Sequence, residues 1–333
     1  GVHSGDSMAV YPAVSLSQDV QRQMVLAACN IARALGVRGV MNIQFVIRDG
    51  RAYVLEVNPR ASRTVPYLSK VTGIPMVDLA TRCIMGSKLA DLGYRSGLWV
   101  IDPSEEDRFA GTPCPPACRG RILPEEDFVS GAAVVPEPIL YAVKAPVFSF
   151  QKLAKVEPSL GPEMKSTGEI LGTDFTFEAA LYKAMVASGI TFKGDGYVLL
   201  SVQDPDKPAA IDIAREMIAQ GFRIAATGGT HDALREAGIP SHWVMKIHEG
   251  QPNLLDFIRE GQVSLMVNTP SADAKAEAEG ARIRRACIET GIACVTSIDT
   301  AKALVRALRV FRNPEASNCL RMEQYLVGQP GGA

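Results

Sequence analysis

The chain has 333 residues, of which 47% are hydrophobic and 21% charged, with a net charge of −1. That balance fits folded globular domains, two of ordinary size at this length. It excludes a disordered polyelectrolyte, a basic nucleic-acid stripe and a membrane-surface patch. No apolar run approaches the ~18 residues that span a bilayer, and no basic-then-apolar leader opens the sequence. A cytoplasmic protein is expected, with neither nucleic acid nor membrane as partner. Cys114 and Cys118 lie among prolines with no second pair of ligands nearby, so the seven cysteines read as reduced thiols rather than a zinc site.

The first stretch, to about residue 90, predicts a helix and a hairpin. Ser17 is a plausible N-cap, and Val20, Met24, Ala27, Ala28, Ile31 and Leu35 follow at helical spacing until Gly36. Two runs of period-two alternation come next. Ile43, Phe45 and Ile47 share one face of the first, and Tyr53, Leu55 and Val57 one face of the second. With a three-residue loop at Asp49, Gly50 and Arg51, pairing these faces puts Gln44 opposite Glu56 and Asn42 opposite Asn58. The other face then collects Asn42, Gln44, Glu56 and Asn58. One carboxylate with several amide oxygens suits a hard divalent cation, and Arg60 and Arg63 follow where guanidinium groups can hold phosphate. A plain solvent-facing polar side of a hairpin has the same alternation.

Residues 91–140, rich in proline and acidic side chains, read as an insertion or long surface loop. Between 141 and 195 the pattern predicts a strand over 141–150, a glycine-rich loop and a helix over 177–187. From 197 onward strands alternate with helices. The strands are expected over 197–202, 222–226, 241–246, 263–268 and 292–296. The helices are expected over 209–220, 230–236, 253–260, 274–290 and 300–309. This is the signature of a doubly wound α/β domain with a parallel sheet. Thr227-Gly228-Gly229-Thr230 falls between a strand and a helix, where glycines admit close backbone approach and free amides favour an anion. Tight strand-to-helix turns also use Gly-Gly for steric reasons alone.

The run Val54-Leu55-Glu56-Val57-Asn58-Pro59-Arg60-Ala61-Ser62-Arg63-Thr64-Val65-Pro66 resembles the ATP-grasp signature of the carbamoyl-phosphate synthetase large subunit. Gly1-Val2-His3-Ser4-Gly5-Asp6-Ser7 resembles its nucleotide-side loop. Leu160-Gly161-Pro162-Glu163-Met164-Lys165-Ser166-Thr167-Gly168-Glu169 resembles the segment closing its second synthetase half. The alternating region after 196 resembles the methylglyoxal-synthase-like domain that ends this enzyme.

The resemblance implies an α/β chain in which a partial ATP-grasp α+β domain precedes a doubly wound methylglyoxal-synthase-like domain. Residues 1–90 would be the C-terminal lobe of the ATP-grasp domain, 91–140 an insertion and 141–195 its completion with a linker. Residues 196–320 would be the regulatory domain and 321–333 a tail. It implies ATP with two Mg²⁺ or Mn²⁺ ions, held by Gln44, Glu56 and Asn58, with Arg63 on phosphate and His3 and Ser4 near the nucleotide. The reaction would be phosphorylation of carbamate to carbamoyl phosphate, for pyrimidine and arginine biosynthesis, with a glutaminase small subunit as partner. In the regulatory domain Lys207, Thr227, Thr230, Lys246 and Asn268 would converge on a nucleotide effector, UMP being the first expectation.

The lobe carrying basic residues over the ATP phosphates is not in this chain, so the polypeptide alone is expected to form no carbamoyl phosphate. Two alternatives stand beside this reading. One is a nucleotide-binding or phosphate-binding module without catalysis. The other is a lyase of the methylglyoxal synthase type, against which His248-Glu249-Gly250-Gln251-Pro252 lacks the Gly-Gly-Asp that such an enzyme uses.

Overall fold

The computed structural model describes residues 3–102, 120–150, 160–190, 192, 196–271 and 273–326. The chain divides into two compact units. One comprises Ala9–Lys144, Thr173–Phe177 and Asn318–Ala333; the other comprises Gly1–Met8, Ala145–Gly172 and Glu178–Ser317. No described helix is long and apolar enough to cross a membrane.

In chain order the first elements are β1 (Ala9–Tyr11), α1 (Gln18–Leu35), β2 (Asn42–Arg48) and β3 (Arg51–Asn58). The Ser17 side chain accepts the backbone N–H of Val20 to open α1, and Gly36 closes it in the left-handed conformation (φ 59°). The helix packs through its Arg22, whose Nε donates to the carbonyl of Phe128 at 3.1 Å while the guanidinium covers that ring.

The hairpin β2–β3 departs from the expected loop. Arg48 pairs with Arg51, so the turn has two residues, Asp49 and Gly50, both with positive φ. This is the geometry that matches strand twist in tight hairpins. Phe45 therefore pairs with Val54 and Val46 with Tyr53. A bulge between Gln44 and Phe45 then shifts the register by one residue. Gln44 faces Glu56 and Asn42 faces Asn58, as the alternation required. The cost of the bulge falls on the apolar set. Tyr53 and Leu55 are exposed, at 48% and 64%, rather than buried beside Phe45.

Next come α2 (Thr64–Thr72), α3 (Met76–Ile84), β4 (Gly97–Ile101), β5 (Gly120–Pro124) and α4 (Glu125–Ser130). The reading of 91–140 as an insertion without regular structure is corrected here, because β4 and β5 form an antiparallel pair and α4 follows directly. Val100, Leu123 and Phe128 make a small core with Val25 of α1. Cys114 and Cys118 lie outside the described residues.

Then follow β6 (Tyr141–Val147), β7 (Gly168–Asp174) and α5 (Phe177–Ala187). Strands β1, β6 and β7 share a sheet in the order β1-β6-β7. Part of the expected glycine-rich loop is thus strand. Gly172 is needed there because a Cβ would lie 2.2 Å from the carbonyl of Ala180 and 2.4 Å from the amide of Ala184. The strand lies directly on the helix backbone.

The remaining elements are β8 (Tyr197–Ser201), α6 (Lys207–Ala219), β9 (Arg223–Thr227), α7 (Gly228–Glu236), β10 (His242–Val244) and α8 (Leu254–Arg259). After them come β11 (Val263–Asn268), α9 (Ala274–Thr290), β12 (Ala293–Val295), α10 (Ile298–Arg312) and α11 (Met322–Leu326). Strands β8 to β12 form a five-stranded sheet in the order β10-β9-β8-β11-β12, with every pairing parallel. The doubly wound expectation holds. Every residue of β11 is buried, as a parallel strand covered on both faces must be. Helix α11 lies where a plain tail was expected.

Candidate functional site

The strand order reverses between β8 and β11. In an open α/β sheet that point leaves a crevice outside the carboxyl ends of the strands, where ligands bind. A cavity of ≈ 640 Å³ lies there, and Lys207, Thr227, Thr230, Lys246 and Asn268 all line it. The five residues expected from the sequence come from four separate places along the chain, and the sheet brings them together.

Thr227 ends β9 and stands at the N-cap of α7 without making a side-chain cap bond; its hydroxyl donates to Ser201 Oγ at 3.1 Å. Thr230, 3% exposed, accepts the amide of Val202 at 3.3 Å. Among the described residues no side chain caps the first amides of α7, the arrangement by which other helix N-termini bind anions. Lys207 opens α6 and folds across this turn. Its Nζ lies 3.0 Å from the point a Cβ on Gly229 would occupy. The same ammonium pairs with Asp204 at 2.7 Å. That bond first, then the charge of Lys207 and with it that of Lys246, hold the Asp204 carboxyl below its usual value. Lys246 is held by its own loop, where its amide donates to Glu249 at 2.7 Å and Leu254 donates to Met245 at 3.0 Å. At the rim, His248 Nδ1 meets Glu279 at 2.7 Å, and Lys275 also lines the cavity. Asp204, Ser201, Gly229 and Glu279 were not anticipated. Only Gly229 left a trace in the sequence, as half of the Gly-Gly pair.

The second candidate site is the polar end of the β2–β3 hairpin. Glu56 Oε1 accepts from Gln44 Nε2 at 2.9 Å and from Asn58 Nδ2 at 2.8 Å. These three expected residues meet at an exposed carboxylate. One carboxylate backed by two carboxamides suits a hard cation that draws its other ligands from water and phosphate. Among the described residues no group of three or more His, Cys, Asp and Glu side chains forms a self-sufficient metal cage. Arg63 stands at the N-cap of α2, exposed, after the same strand.

His3 and Ser4 belong to the other unit from this hairpin. His3 Nδ1 accepts the amide of Gly5 at 3.0 Å and starts a short helical turn over Ser4–Asp6. Buried Asp6 accepts the backbone amides of Lys165 at 2.9 Å and Ser166 at 2.8 Å, and Ser166 Oγ donates to the carbonyl of Gly5 at 2.8 Å. Two of the segments quoted for the resemblance are thereby tied together. Burial raises the Asp6 carboxyl, but the Lys165 amide, the Ser166 bonds and the charge of His3 outweigh it and hold it below its usual range.

Residues 1–92 match the family described as carbamoyl-phosphate synthase L chain, ATP binding domain, and residues 209–296 match the MGS-like domain. A carbamoyl phosphate synthase large chain from Thermomicrobium roseum is 48% identical over 309 residues, 92% of this chain and 25% of that protein. The chain thus spans about a quarter of the length of the curated relative it matches. Among solved structures, a methylglyoxal synthase from Elizabethkingia anophelis is 14% identical, with a TM-score of 0.30 over 43% of this chain and 97% of its own. A protein named ForH is 18% identical, with a TM-score of 0.27 over 40% of this chain and 87% of its own. An ATP-binding segment followed by an MGS-like domain, in a chain aligned over 92% of its length at 48% identity to one relative, matches a C-terminal part of a carbamoyl-phosphate synthase large chain.

Proposed function

We propose that the cavity at the β8–β11 reversal is an allosteric site for a nucleoside monophosphate, and that UMP is its first candidate. The observation that carries this reading is the position of Lys207 Nζ over Gly229 at the open N-terminus of α7. An ammonium group and free helix amides aimed at one space favour a phosphate, and Thr227, Thr230 and Lys246 supply further donors there. Calorimetric titration with UMP tests it. Binding that weakens tenfold or more in Lys246→Ala supports the reading; no heat with any nucleoside monophosphate overturns it.

For the first part of the chain, the reading is ATP-dependent phosphorylation of carbamate to carbamoyl phosphate within a complete large chain, alongside a glutaminase small subunit. Gln44, Glu56 and Asn58 would hold Mg²⁺ or Mn²⁺, and Arg63, His3 and Ser4 would contact ATP. A bound divalent cation supplies charge neutralisation on the transferring phosphoryl group. The chain's own residues have a positioning task. The bulge aligns Gln44 with Glu56, and the two amides hold one carboxylate oxygen in place. Carbamoyl phosphate formation by a complete large chain carrying Glu56→Gln is the test; activity equal to the parent would exclude this assignment.

A further inference from the structure

Arg284 of α9 is 4% exposed and far from any expected site in sequence. Its Nη1 donates to Asn268 Oδ1 at 3.1 Å. Its Nη2 pairs with the carboxylate of Glu277, whose other oxygen accepts the amide of Ser271 at 3.1 Å. Asn268 in turn donates through Nδ2 to the carbonyl of Ser201 at 3.2 Å. The interior of α9 is shaped around this link. A Cβ on Gly280 would lie 2.9 Å from Arg284 Nη1 and 3.2 Å from Asn268 Oδ1. A mid-helix glycine is less favourable than alanine, and here it admits the bond.

A guanidinium group has donors only, so the amide must turn its oxygen to Arg284. Ser201 offers a carbonyl, so the nitrogen must face that side. Both neighbours therefore fix the same orientation of Asn268, which is 5% exposed. One amide hydrogen goes to Ser201. The other has no partner among the described residues, on a side chain that lines the cavity. The position presents a donor and nothing else. Thr227 ends β9 and Asn268 ends β11, two strands away with β8 between. At about 4.8 Å per strand, their backbones stand ~10 Å apart. A phosphate seated at the N-terminus of α7, on the β9 side, leaves Asn268 to the body of its ester.

We propose that Arg284 is a positioning residue for this cavity, locking Asn268 as a hydrogen-bond donor so that the ligand is a phosphomonoester with an acceptor atom beyond its phosphate. The inference rests on the reading of the cavity as a nucleoside monophosphate site and adds what that ligand must carry. A carbonyl, an unprotonated ring nitrogen or a sugar oxygen meets the requirement; an amino group at this place does not.

The test is calorimetry of UMP and of inorganic phosphate against the wild-type chain, Arg284→Gln, Arg284→Lys and Gly280→Ala. Arg284→Gln removes one of the two constraints on Asn268, since glutamine can donate or accept. Gly280→Ala wedges the pair apart while strengthening the helix. Both are expected to weaken UMP tenfold or more and to leave phosphate affinity unchanged. Arg284→Lys keeps a donor and a charge and should lose less than about threefold. Should Arg284→Gln fail to fold, as judged by near-ultraviolet circular dichroism, Gly280→Ala carries the test with the arginine still in place. Wild-type affinity for UMP in both variants overturns the proposal, as does a parallel loss of phosphate binding, which marks Arg284 as structural only. If the wild-type chain binds no nucleoside monophosphate, the nucleotide reading of the cavity fails, and the proposal with it. Binding of UMP unaffected by the variants sinks the proposal alone.

Discussion

Lys207 Nζ lies 3.0 Å from the place where a side chain on Gly229 would begin, so the ammonium and the open end of α7 address the same space. Asp204 balances the ammonium at 2.7 Å, and an anion at the open end of α7 gives it a second negative partner. Gly229→Ala separates folding from binding at this spot. Alanine favours the helix, and the lysine end can shift by a few tenths of an ångström, so the melting temperature should hold or rise. UMP affinity should fall several-fold, because the new methyl group displaces the ammonium. Calorimetry and thermal melts on the one variant check both halves.

Salt adds a second check on the same cradle. Lys207 and Lys246 each offer a charge-assisted bond to phosphate. Each alanine variant should lose about tenfold in UMP affinity and should flatten the dependence of that affinity on ionic strength. Equal salt dependence in variant and parent would remove the lysine from the cradle.

Asp6 has its carboxyl held below its ordinary value of 3.8 by the Lys165 and Ser166 bonds, against the opposing effect of burial. A depressed folded-state value means that ionised Asp6 contributes stability fully above about pH 3.8, and that this is lost as pH falls through the lower folded value. Asp6→Asn places an amide against two backbone N–H donors and should cost about 1–3 kcal/mol at pH 7. Its deficit should shrink as the pH is taken below 3.8. Urea melts at pH 7 and pH 3 measure the difference; a constant deficit would contradict the assignment.

Gly172→Ala is the corresponding test of packing. Its Cβ meets backbone atoms of Ala180 and Ala184 at 2.2 and 2.4 Å, and backbone cannot swing aside. A loss of roughly 3 kcal/mol or more in stability is expected, at the upper end of overpacking effects. A melting temperature within a few degrees of the parent would show that α5 can retreat.

The sequence carried α1 well because both of its signals are local, Ser17 at one end and Gly36 at the other. The parallel sheet was equally legible, since strands such as β11 and helices such as α9 repeat at distinct periods. The hairpin was half legible. Alternation specified the pairing of Gln44 with Glu56, but nothing in it reveals that one extra residue is absorbed at the bulge, which moved the turn and exposed Leu55. Strand β7 was hidden by Gly168 and Gly172, and the reason for Gly172 is a helix backbone that only the fold brings near. Pro-rich and acidic flanks hid β4 and β5. In the cavity, residues at strand ends were legible from the family pattern. Arg284 was not, because its link to Asn268 spans strand, loop and helix with no fixed spacing.

The seam between β8 and β11 has a mechanical consequence. Strands β8, β9 and β10 lie on one side of it and β11 and β12 on the other, joined in the sheet by a single ladder. That ladder is itself interrupted by an irregularity between Val263 and Leu265. A ligand gripped by Thr227 on one side and Asn268 on the other works as a rivet across this joint. Hydrogen exchange at Leu199 and Met266 should report it, slowing when the cavity is filled and doing so more than exchange in the outer strands β10 and β12.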